Sequence, residues 1–201
     1  MLDNNIMETY QKIYKQYRYQ YLYDIVVNDY AKDSQNIDAL YFLTKIYLKK
    51  GCSLYDKEKG ETCLQYIMNQ TNYPHAYYLY GKLYHSLQHI QLAAEYGSPA
   101  AMFVLSKTNK EYLEQSADLG YIKAINLLGY LYKKEGKHKD ALVMYKKSYH
   151  LGNVVGAKRL YKAYQYGRGV PINKGLAINY YKIYKKLSKN IKQYPSLAGY
   201  D

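Results

Sequence analysis

GNVVGAKRLYKAYQYGRGVPINKGLAINYYKIY, residues 152–184, is the stretch on which the reading of the fold turns. In its first half Gly156, Leu160 and Tyr164 fall four apart, on one face of a helix. Gly167, Gly169 and Pro171 then end that helix, because glycine accepts left-handed backbone and proline cannot continue the hydrogen-bond ladder. Asn173 is placed to cap a second helix whose buried side carries Ala177, Tyr180, Tyr181 and Tyr184. The stretch therefore reads as one helix–loop–helix hairpin.

Weaker copies run back through the chain. Ala93–Gly97–Ala101–Leu105 recurs as Ser116–Gly120–Ala124–Leu128 and as Ser148–Gly152–Gly156–Leu160. In each, a small residue ends one helix, a glycine follows at a helix C-cap, and a small residue lets the next helix approach closely. Ala76, Gly81 and Tyr84 match Ala124, Gly129 and Tyr132, and Ala39, Leu43 and Tyr47 share the phase. The small-residue anchors at 39, 76, 101, 124 and 156 are spaced unevenly. Self-similarity of this kind is the signature of a stacked repeat.

The small residue, the Leu and Tyr after it, the Gly-x-Gly-Val loop at Gly167 to Val170, the polar cap and the Ala-x-x-Tyr-Tyr run resemble the Sel1-like repeats, relatives of the tetratricopeptide repeats. The chain departs from that family in its irregular period and in having the glycine loop only in its last unit. The resemblance implies an all-α, right-handed solenoid of about five antiparallel helical hairpins. Units are expected at 4–32, 38–70, 74–97, 98–120 and 121–189, this last stretch holding two, the second at 152–189. Together they read as a single repeat domain over 1–189, followed by a tail at 190–201.

In detail, helices are expected at about 4–16 and 19–32, with one long helix over both as the alternative. Asp38 is read as the cap of a helix to about Lys50, Gly51 to Gly60 as loop, and a partner helix to about Asn69. Pro74 opens a helix to about Ser86, and a short one follows to Tyr96. Ser98-Pro99 starts a short pair that turns at Thr108-Asn109. Helices at about 121–135 and 138–151 lead into the last unit, whose second helix is expected to end near Lys189.

Composition narrows the class. The 201 residues include 31 tyrosines, two phenylalanines and no tryptophan. Tyrosine rings belong at helix seams with their hydroxyls reaching for partners or water. Abundant Tyr, Lys, Asn and Ile also follow from an AT-rich genome, such as that of a large DNA virus or a protist. No apolar run reaches the roughly 20 residues a membrane-spanning helix needs, and the N-terminus lacks a signal peptide's order. Two cysteines, Cys52 and Cys63, make no disulfide framework. These features point to the cytoplasm or nucleus.

Charge is the functional asymmetry. The formal net charge is +13, but residues 1–120 hold 12 Lys/Arg against 13 Asp/Glu, and residues 121–201 hold 17 against three. A half-chain this lopsided repels itself and favours a negatively charged partner. By the resemblance, the first helix of each pair lines a concave groove. That groove would receive Lys123, Asn126, Tyr130, Lys133 and Lys134 from one unit and Lys158, Lys162, Gln165 and Tyr166 from the next. A second basic face, Lys182, Lys185, Lys186 and Lys189, lies on the last helix. Lysine supplies point charges rather than the forked geometry of arginine, which favours general anion attraction.

No catalytic constellation assembles. His85 and His89 stand at metal-ligand spacing, yet no glutamate lies beside His85 and no third ligand is evident. The Gly167–Arg168–Gly169 loop follows no strand and precedes no Gly-Lys-Ser/Thr, so it reads as an inter-helix turn rather than a phosphate loop. The expectation is a non-enzyme with no cofactor and no metal: a protein-interaction adaptor binding a peptide or helix of an acidic partner, away from membranes. The alternatives are an RNA- or ribonucleoprotein-associated protein using its basic half, and a structural subunit of a larger assembly such as a virion.

Overall fold

A computed structural model of the chain describes residues 3–193, and the tail expected at 190–201 lies largely outside them. The described residues hold twelve helices and no strand. They fall into consecutive antiparallel pairs, gathered into two compact units divided between Ser98 and Pro99. There are six pairs, because residues 121–189 supply two.

The first unit contains α1 (Asp3–Lys15) with α2 (Tyr19–Lys32), α3 (Ile37–Tyr47) with α4 (Lys57–Gln70), and α5 (Pro74–Leu83) with α6 (Leu87–Glu95). Its core joins Tyr10, Leu22, Val26, Phe42, Ile46, Leu64 and Ile67. The first two helices are separate: the chain turns at Tyr17, whose φ of 57° is left-handed. Asn36, not Asp38, caps α3 by accepting from the Ala39 amide at 3.0 Å. Asp38 instead accepts from the Tyr73 hydroxyl at 2.5 Å, tying α3 to the start of α5. The helix stops at Tyr47 rather than Lys50, and α4 begins before Gly60, which Asp56 makes possible by capping at Lys59 N, 3.0 Å away. Gly60 is buried inside α4 because any Cβ there would meet Leu48 at 2.6 Å.

The second unit contains α7 (Pro99–Leu105) with α8 (Glu111–Asp118), α9 (Ile122–Lys134) with α10 (His138–His150), and α11 (Val154–Tyr166) with α12 (Lys174–Gln193). The repeated register behaves as its residues demand. Gly97, Gly120 and Gly152 each sit at positive φ just past a helix. Ala101, Ala124 and Gly156 are buried, and a Cβ on Gly156 would lie 2.4 Å from the Tyr149 backbone nitrogen. The small serines of the register do more than save space. Ser116 donates to the Pro99 carbonyl at 2.6 Å, and Ser148 donates to the Asn126 side chain at 2.7 Å.

Asn173 caps α12 through the Leu176 amide at 2.9 Å, and the helix runs to Gln193, beyond the expected end. Of its apolar residues, Ala177 is buried and Tyr180 and Tyr184 are half-buried, whereas Tyr181 is exposed rather than on the expected buried side. Tyr180 stacks on Tyr164 with ring centroids 5.6 Å apart, and Tyr149 meets Tyr180 edge-on at 5.3 Å. The tyrosine seam is thus a real packing device.

Candidate functional site

Four cations of the second unit converge on one pocket. Lys133 comes from the last turn of α9, Arg159 and Lys162 lie three apart on α11, and Arg168 projects from the α11–α12 loop. His138 completes the rim, while Ala141, Tyr145 and Ala163 form an apolar floor. The free space is about 20 Å³, room for a small polar group rather than a folded ligand. Among the described residues none of the four cations takes part in an ion pair.

Local chain geometry explains the convergence. Arg159 and Lys162 share a face because residues three apart on a helix are neighbours. Gly167 closes α11 in left-handed geometry at φ 67°, and the Arg168 amide bonds back to the Ala163 carbonyl at 2.9 Å. Gly169, at φ 78°, presses on the start of α10 so tightly that a Cβ would lie 2.3 Å from the His138 carbonyl oxygen. Two glycines therefore hold Arg168 between them against the mouth of the pocket, its guanidinium 5.2 Å from the Tyr166 ring centroid. In the floor, the Tyr145 hydroxyl donates to the Gly129 carbonyl at 2.9 Å. Burial pushes the Tyr145 phenol up, while the positive fields of Arg159 and Arg168 pull it the other way.

The residues proposed from sequence are divided by this geometry. Lys133 and Lys162 line the pocket. Asn126 is drawn into the seam between repeats, where it accepts from Ser148 and donates to Asn153 at 3.4 Å; Asn153 in turn caps α11 at the Val155 amide, 2.9 Å away. Lys158 points elsewhere, with its ammonium 5.7 Å from the Tyr184 ring centroid on α12. Lys134 lies 5.4 Å from the exposed Tyr130 ring. Lys123 and Gln165 are half-buried outside the pocket, Gln165 Oε1 having no hydrogen-bond partner within the described chain. Tyr166 is exposed. Lys182, Lys185, Lys186 and Lys189 are exposed along α12 and do not line the pocket. Arg159 and Arg168, which also line the pocket, lie outside the set expected from sequence. The signal that could have found them is the Arg between the two loop glycines, together with the three-residue spacing of Arg159 and Lys162.

A larger cleft of about 270 Å³ lies in the first unit, lined by Leu48, Lys50, Tyr55, Lys57, Glu61, Leu83 and Tyr84. Two of its three charged residues answer one another. Glu61 accepts from the Tyr84 hydroxyl and pairs with Lys57 at 3.5 Å. The tyrosine hydrogen bond, helped by Lys57, holds the Glu61 carboxyl below its usual range, and the same bond raises Tyr84 to about 12. This cleft has little unmet charge with which to select a ligand.

Among the described residues no three His, Cys, Asp or Glu side chains gather as a metal site would require. His85 is not on a helix with His89: it occupies a left-handed turn at φ 52° between α5 and α6. His89 Nδ1 lies 2.7 Å from the Ser86 hydroxyl, its ring 4.4 Å from that of Tyr80. Cys52 and Cys63 are free thiols. No helix of the described residues is long and apolar enough to cross a membrane.

Comparison with known proteins places this architecture. No protein-family model and no curated protein sequence matches the chain. Among solved structures it is similar to a Sel1 repeat protein from Oxalobacter formigenes, with TM-score 0.68 and 22% identity over 82% of this chain and 57% of that one. It is also similar to c5321, a protective antigen of uropathogenic Escherichia coli with an SLR fold, with TM-score 0.64 and 18% identity over 94% of this chain and 48% of that one. The chain thus spans roughly half the length of these two proteins. The immunity protein Pa5087 from Pseudomonas aeruginosa superposes with TM-score 0.63 and 19% identity, over 91% of this chain and 80% of that one. At such identities the likeness speaks for architecture, and it agrees with the helical hairpins, the small-residue register and the glycine loop. The chain has the Sel1-like repeat fold.

Proposed function

We propose that the protein is a non-catalytic interaction scaffold whose second unit binds an acidic segment of another protein. The observation that carries this reading is the convergence of Lys133, Arg159, Lys162 and Arg168 on one pocket with none of them ion-paired to a carboxylate among the described residues. Uncompensated like charges held together repel, and a partner's anionic group relieves that repulsion. Helical-repeat surfaces suit extended ligands because stacked units present a continuous face. The apolar floor of Ala141, Tyr145 and Ala163 gives the stem of an acidic side chain a surface to rest on.

The test is a fluorescence-anisotropy titration with a labelled acidic peptide, a composition-matched neutral peptide and a single-stranded RNA oligonucleotide. The expected result is saturable binding of the acidic peptide that the Lys133→Glu/Lys162→Glu double variant abolishes. Preferential binding of the oligonucleotide, lost evenly as any lysine of the second unit is reversed, overturns the proposal in favour of a diffuse phosphate-binding surface.

A further inference from the structure

We infer that the pocket is an oxyanion socket, in which one carboxylate or phosphate group is gripped between Arg159 and Arg168 while Lys133 and Lys162 supply flanking charge. For the source of its ligand this rests on the scaffold reading. The sequence alone suggests lysines and diffuse attraction; the structure places two arginines beside two of those lysines. A guanidinium offers a planar fork of donors that matches two oxygens of a carboxylate or phosphate at once, which an ammonium does not.

Three further observations favour one small group over a broad anionic surface. The space is about 20 Å³, too small for a ring or a helix turn. The floor is apolar, which weakens solvent screening and strengthens each charge-assisted bond. Arg168 is held by its loop, since its amide bonds to Ala163 and Gly169 packs directly on the His138 backbone. The Tyr145 hydroxyl already donates to Gly129, so the donors left for an incoming anion are the four cations and the His138 imidazole at the rim.

The experiment is a nuclear magnetic resonance titration of the full chain with inorganic phosphate and, separately, acetate, following the arginine Nε–H signals and the Gly169 amide. Two peptides identical except for glutamate or phosphoserine at one position are then added in turn. Expected are saturable shifts confined to Arg159, Arg168 and the loop, with roughly tenfold weaker binding in Arg168→Lys, which keeps the charge but not the fork. The tighter-binding peptide names the source, an unmodified acidic segment or a phosphorylated one. Shifts that never saturate and run equally along α12 overturn the socket, as does an Arg159→Lys/Arg168→Lys variant that binds like the wild type. Saturable phosphate binding with neither peptide bound sinks the scaffold reading and leaves the socket. Acidic-peptide binding untouched by the lysine variants does the reverse.

Discussion

His75 is packed edge-on and tilted between Tyr73 and Tyr41, with ring centroids at 5.3 and 5.8 Å. Burial lowers its pKa, with Asp38 opposing that shift and Lys45 adding to it. The folded chain therefore resists protonation at a pH where the unfolded chain accepts it. Stability linked to this group is complete above the ordinary histidine value of about 6.5 and is lost as the pH falls from there through the lower folded value. Denaturant unfolding across this range should show stability falling with pH in the wild type, and a shallower fall in His75→Gln; equal slopes would remove His75 from the account. In the other unit, Tyr145→Phe removes the hydroxyl that bonds the Gly129 carbonyl across the helix pair and should cost about 0.5–1.5 kcal/mol in unfolding free energy, read by denaturant titration. At this scale one residue of helical phase separates the set expected from sequence from the pocket lining. Choosing Lys158 beside Lys162 rather than Arg159 rotates the face by about 100°, which is why Lys158 ends at Tyr184 and Arg159 in the pocket. Asn126 reads as a ligand donor in sequence, and in the structure its amide bonds Ser148 and Asn153 within the seam.

Among the elements, the α11–α12 loop carries the most consequence. Gly169→Ala combines a positive φ with a Cβ 2.3 Å from a backbone oxygen, so the loop must move and take Arg168 with it. It should destabilise the chain by about 1–3 kcal/mol and weaken anion binding. Gly120→Ala, at φ 83° with open space around it, is the control: strain of roughly 1 kcal/mol with binding retained. Thermal unfolding and peptide titration of both variants check this, and equal binding by the two would detach the loop from the site. Helix positions were legible because small residues and C-cap glycines recur in one register. Gly81 and Gly129, matched by that register, do the same job, a Cβ on each colliding at 2.7 Å with Ile90 and Tyr145 on the paired helix. What was not legible is how competing local signals resolve. Asn36 and Asp38 are both good caps, and Asp38 lost because Tyr73 claims it. Gly60 reads as a loop residue by its type alone, yet it lies inside the helix that Asp56 caps, and it is glycine because a Cβ there would meet Leu48. Tyr17 in a left-handed turn carries no propensity signal at all.

At the scale of the whole molecule, function is expected to follow the charge, which the first 120 residues balance and the last 81 do not. Association with an acidic partner should therefore slow as ionic strength rises, while a tightly held oxyanion keeps the off-rate less sensitive. Stopped-flow kinetics over a salt series reads both rates. Removal of residues 152–201 should unfold more than its own helices, because Leu142 and Tyr145 of α10 share a core with Leu160 and Ala163 of α11. The most direct test of the account compares two variants with the same loss of charge. One neutralises Lys133, Arg159, Lys162 and Arg168 to Gln; the other neutralises Lys182, Lys185, Lys186 and Lys189. Calorimetric titration of one acidic peptide into both, with circular dichroism confirming equal helicity, isolates position from net charge. The account predicts that the pocket variant loses binding while the α12 variant keeps it within about threefold, the scale of rim charges. Equal losses in the two would contradict it.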